Sequence, residues 1–63
     1  FRSDVLMEAA LAWTTRWGAS GVTLWVASAN EVAWRFYARH GFQPTGNIET
    51  DGGREVMELY RAL

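Results

Sequence analysis

The stretch that most constrains this chain is Val22-Thr-Leu-Trp-Val-Ala27, six residues that are apolar on nearly both faces and sit just after Gly21. A strand of that kind is usually covered on both sides. When such a strand is reached through a helix, its parallel partner usually lies before that helix. The helix is visible: Leu6, Ala9, Ala10, Trp13 and Trp17 recur at three- and four-residue spacing, which predicts a helix from about Asp4 to Trp17 with these residues on one stripe. Ser3 offers it an N-terminal cap, Asp4 suits the positive end of its dipole, and Gly18 can stop it in the left-handed conformation. A partner strand has no counterpart ahead of that helix. The expectation is therefore an incomplete sheet, with residues 1–63 forming the C-terminal portion of a single domain. The free edge of the Val22–Ala27 strand would pair with a missing N-terminal half or with another chain.

A second helix begins near Glu31. Ser28 and Glu31 stand in the S-x-x-E spacing of a capping box, and Asn30 could cap instead, so one of the two side chains is spare. Ala33, Phe36, Tyr37 and His40 share a stripe, and Gly41 ends the helix as Gly18 ends the first. Phe42 to Thr50 reads as a weak strand interrupted by Pro44 and Gly46, and Asp51-Gly52-Gly53 as a tight reversal. From Arg54 to Leu63 the alternation sets Met57, Leu59 and Leu63 on one side and Glu58 and Tyr60 on the other. The fold class is α/β (α+β), in the order helix, strand, helix, strand, strand.

Composition excludes several classes. A chain of 63 residues hides only about 60% of its unfolded surface on folding. It has no cysteine and one histidine, so neither disulfides nor a structural zinc can staple it, and no metal is expected. Six basic and seven acidic residues give a net charge of -1, which argues against nucleic-acid or anionic-membrane partners. An apolar content of 49% argues against disorder. No apolar run approaches the roughly 20 residues of a spanning helix and no secretion signal is evident, so a cytoplasmic location is the expectation.

The segment Asn30-Glu-Val-Ala33-Trp-Arg-Phe36-Tyr37-Ala-Arg-His-Gly41-Phe42 resembles the pattern N-x-x-A-x-x-F/L-Y-x-x-x-G-F of the GNAT superfamily of acetyl-CoA-dependent N-acetyltransferases. The preceding strand, the Leu6-Met-Glu-Ala-Ala10 helix and Gln43-Pro-Thr-Gly46 are also similar to that family. The resemblance implies the C-terminal half of a GNAT-type fold, acetyl-CoA as co-substrate and a primary amine as acceptor. It implies Tyr37 as the acid that protonates the leaving thiolate and Asn30, with Tyr37, as contacts to the cofactor, the Asn30 amide being the one left spare by a Ser28 cap. Beside these roles stand ordinary ones: Tyr37 as core packing, Asn30 as a plain cap, His40 as a dipole-compensating or solvent-facing residue, Arg35 and Arg39 as solvated flank rather than phosphate ligands, and Trp13, Trp17 and Trp25 as core. Two family features lack a match. The phosphate loop Q/R-x-x-G-x-G/A would fall with Phe1 and Ser3 at its glycines, and Trp25 stands where some members carry a glutamate base. The alternative to an enzyme is a non-catalytic fragment or degenerate copy that serves as a strand-pairing module.

Overall fold

A computed structural model describes residues 2–63. Phe1, which enters the phosphate-loop comparison, lies outside the described residues. The order is α1 (Arg2–Arg16), β1 (Gly21–Ala27), α2 (Glu31–Arg39), β2 (Gln43–Asp51) and β3 (Arg54–Ala62). The chain is thus α+β, two helices on a three-stranded sheet of order β1-β3-β2 in which both pairings are antiparallel. Leu24 pairs with Leu59 and Val26 with Met57, so the strand alternation puts Val22, Leu24, Val26, Met57 and Leu59 on one face. Both helices pack there. Leu11, Val26, Phe42 and Leu59 are buried, with Met7, Trp34 and Tyr37 against them. Each such side chain removed from water stabilises by about 1.5–3 kcal/mol, a large share of what so short a chain can gather.

Gly18 and Gly41 both take positive φ, +83° and +89°, and each ends its helix as the sequence predicts. The β2–β3 reversal at Gly52-Gly53 also forms where expected. Within β2 the register slips between Pro44 and Ile48. The slack is gathered by Glu58, whose Oε1 accepts from the Thr45 hydroxyl at 2.7 Å and from the Asn47 side-chain amide at 2.8 Å. Those two donors, Thr45 first, hold the Glu58 carboxyl below its usual range.

Three expectations are corrected. Ser3 does not cap α1, because it lies inside the helix, one residue after Arg2. Strand β1 is covered on one face only: Val26 is buried, but Thr23 and Trp25 are exposed on the other face. The stripe predicted for α1 is not its buried one. Trp13 and Trp17 are 61% and 75% exposed and Leu6 is exposed too, whereas Leu11 is buried and Met7 packs on the core. With 3.6 residues per turn, Asp4, Met7, Glu8 and Leu11 share the side of the helix opposite Leu6, Ala9, Ala10, Trp13 and Trp17. Asp4 and Glu8 on the Met7/Leu11 side also meet Arg39 and His40 at the C-terminal end of α2. The three tryptophans Trp13, Trp17 and Trp25 are therefore not core; Trp13 and Trp17 pack on each other at a ring separation of 5.8 Å, and Trp25 is 43% exposed. Among the described residues β1 is a sheet edge, bonded to β3 on one side only.

Candidate functional site

The motif segment is delivered by β1, α2 and the first residue past α2. Asn30 immediately precedes the first helical residue, and its Oδ1 accepts from the Ala33 amide at 3.1 Å, satisfying one of the four donors that a helix start leaves unpaired. Ser28 lies two residues earlier, where its own amide still donates to the Glu55 carbonyl at 3.0 Å. Its Oγ is buried and has no hydrogen-bond partner among the described residues. Of the two caps that the sequence leaves open, Asn30 is the one used and Ser28 is the spare side chain, so the Asn30 amide is not left spare by a Ser28 cap. The capping box does not close, because the Glu31 carboxylate is paired with Arg35 at 2.5 Å. Asn30 is exposed, and capping occupies only its oxygen, which leaves the two amide N–H donors for another partner.

Tyr37 sits two helical turns further on. Its ring is half-buried, edge-on to Phe42 at 5.7 Å and to Phe36 at 5.5 Å. The hydroxyl has no hydrogen-bond partner among the described residues. Tyr37 is not sealed in hydrocarbon: with Ser3, Val32, Ala33 and Phe36 it lines a groove of about 280 Å³, which joins the first turn of α1 to the flank of α2. Asn30 lies instead at a larger opening of about 810 Å³, beside Ala27, Ser28, Ala29, Arg54 and Glu55. The structure thus places the two candidate residues on one helix but not in one cavity, about 10 Å apart along its axis.

Four residues at the junction of the helices escape sequence reasoning. The Arg39 guanidinium donates to Asp4 Oδ1 at 2.9 Å, His40 Nε2 approaches the same oxygen at 2.5 Å, and His40 Nδ1 lies 2.8 Å from Glu8 Oε1. Arg39 first, then His40, holds the Asp4 carboxyl below its ordinary range. His40 is therefore not solvent-facing; its side chain is 8% exposed. Arg35 and Arg39 are both engaged with carboxylates. Spacing along the chain carries no signal of contacts between residues more than thirty positions apart. Among the described residues no group of three or more His, Cys, Asp or Glu is placed to hold a metal ion.

The fold is a two-layer α+β domain whose second helix carries an asparagine cap, a half-buried tyrosine at the edge of a groove and a Gly-Phe stop. The family model of the acetyltransferase (GNAT) family matches residues 4–42, more than half of the chain and the whole of β1 and α2. The chain belongs to the acetyltransferase (GNAT) family, and that membership points to an acyltransferase-type function. No curated protein and no solved structure matches it.

Proposed function

We propose that this domain transfers an acetyl group from acetyl-CoA to a primary amine, these residues forming the C-terminal wall of the cofactor cleft. The observation that carries the reading is Tyr37, whose hydroxyl has no hydrogen-bond partner among the described residues, lining a groove that also reaches Ser3 in the first turn of α1. The residues present suit such a ligand. The N–H groups of a helix's first turn favour an anionic end, the free amide donors of Asn30 suit an amide-rich arm, and Tyr37 brings an O–H to a groove that is mostly apolar. Acetyl-CoA supplies the activated thioester carbonyl and a thiolate leaving group. Tyr37 donates its proton to that sulfur as it departs, which lowers the barrier to breakdown of the tetrahedral state. Trp25 cannot take a proton, so the acceptor's proton passes to water or to another base.

Replacing Tyr37 by phenylalanine in the full protein tests this. Turnover should fall roughly ten- to ten-thousandfold, the scale of losing a general acid, with acetyl-CoA affinity nearly unchanged in calorimetry. A Tyr37→Phe enzyme as fast as the parent removes the acid role.

A second reading, a strand-pairing module without catalysis, is favoured by one observation: β1 is an edge strand with Trp25 exposed on it, a surface that recruits other strands. Calorimetric titration of acetyl-CoA into the chain discriminates, since tight binding defeats this second reading.

A further inference from the structure

The family motif gives His40 no task, yet its ring is 8% exposed and lies between two carboxylates of the other helix. Nε2 faces Asp4 Oδ1 at 2.5 Å and Nδ1 faces Glu8 Oε1 at 2.8 Å, while Phe36 packs on the ring at 4.9 Å. The charged groups around it come from three elements: Asp4 and Glu8 from α1, Arg39 from α2, and Arg61 from β3, whose guanidinium donates to the His40 carbonyl at 2.7 Å. A neutral imidazole has one N–H and one lone pair. Ionised carboxylates only accept, so the two contacts are satisfied together only by the doubly protonated ring. Loss of one proton sets a nitrogen lone pair against a carboxylate oxygen.

This bridge holds both walls of the Tyr37 groove. Asp4 adjoins Ser3 on one wall. On the other, the His40 and Phe42 amides donate to the Tyr37 carbonyl at 3.0 and 3.1 Å. We infer that His40 is a positioning residue: as an imidazolium it latches the first two turns of α1 to the C-terminal end of α2, and so fixes the spacing between Ser3 and Tyr37. The use of that spacing, to seat the co-substrate, rests on the acetyl-CoA reading; the latch itself does not.

The test is amide hydrogen exchange on the full chain by NMR, with the protonation of the His40 ring followed from its nitrogen resonances. His40→Gln can donate to one carboxylate at most, and exchange of the hydrogen-bonded amides from Glu8 to Leu11 should quicken roughly tenfold or more, the scale of one lost charge-assisted hydrogen bond. His40→Arg offers several donors and no titration in the accessible range, and should keep exchange within about threefold of the parent and abolish its pH dependence. In the parent, exchange across α1 should rise in step with loss of the second ring proton. Equal exchange in parent and His40→Gln, or exchange indifferent to ring protonation, overturns the latch. Acetyl-CoA titration of the same proteins addresses the groove. If the parent binds, His40→Gln should bind roughly tenfold more weakly and His40→Arg near-normally, and equal affinities would refute the positioning role. A parent that does not bind defeats the acetyl-CoA reading instead, and the exchange data alone then decide the latch.

Discussion

Asn30→Ala and Ser28→Ala form a pair of substitutions for which the structure demands opposite outcomes. Asn30 Oδ1 satisfies the Ala33 amide, and removing an asparagine cap costs about 1 kcal/mol, within a range of roughly 0.5–2. At about 0.05–0.15 kcal/mol per residue, a domain of this length holds only about 3–9 kcal/mol in total, so the loss should lower the midpoint of thermal unfolding by about 4–8 °C. Ser28 Oγ is buried with no hydrogen-bond partner among the described residues. An unsatisfied buried hydroxyl carries a penalty of about 1–3 kcal/mol, only partly offset by its packing, so Ser28→Ala should leave stability unchanged or raise it by up to about 1 kcal/mol. Urea unfolding followed by circular dichroism of the two variants and the parent gives the answer, because both substitutions leave the exposed surface on unfolding, and hence the slope, nearly constant. A destabilised Ser28→Ala beside an unaffected Asn30→Ala would show that the capping-box serine holds the helix in solution. Asn30 would then be wholly available to a ligand, and the assignment of roles drawn from the geometry would be refuted.

Other perturbations follow from the same contacts. Leu59 is 2% exposed in a four-residue core, so Leu59→Ala should lose about 2–5 kcal/mol and lower the unfolding midpoint steeply; a midpoint close to the parent's would contradict that packing. Gly41→Ala forces a side chain into φ +89° and against the Arg61 side chain, 3.3 Å from the new carbon, so a loss of about 1–3 kcal/mol is expected in chemical denaturation, with an unaltered midpoint counting against the left-handed stop. Asp4 has its folded-state pKa depressed below 3.8 by Arg39 and His40. The stability it contributes is therefore present above that ordinary value and lost as pH falls through the lower folded one. The stability difference between parent and Asp4→Asn should accordingly shrink between pH 5 and strongly acid solution, which urea titrations at each pH would show; a difference independent of pH excludes the ion pairs as its source.

Residues 18–42 were legible because their information is local. Glycines at positions 18 and 41 mark left-handed stops wherever the chain turns up, the Val22–Ala27 run is strand by composition, and the N-x-x-A-x-x-F-Y-x-x-x-G-F spacing lies within one helix and its ends. Tyr37 and Asn30 stand out there only through their match to the family's pattern. What they face could not be read there, since the groove beside Tyr37 needs Ser3 from a helix more than thirty residues away. The choice between Ser28 and Asn30 as cap was also out of reach: both have the chemistry, and only the start of the folded helix at Glu31 puts the Asn30 oxygen on the Ala33 amide.

The largest departure is the face of α1. Periodicity along α1 shows an apolar stripe with two tryptophans and a narrower one at Met7 and Leu11, and burial alone would favour the wider. It is the narrower stripe that faces inward, on the side where Asp4 meets Arg39 and His40, and Glu8 meets His40, contacts that exist only once α2 is in place. Local propensity and short-range spacing thus determine which segments are helix, strand and stop, because they depend on neighbours in the chain. Which side of a helix is buried, which side chain is left spare, and which carboxylates hold His40 depend on partners brought together only by folding, and these the tertiary structure decided.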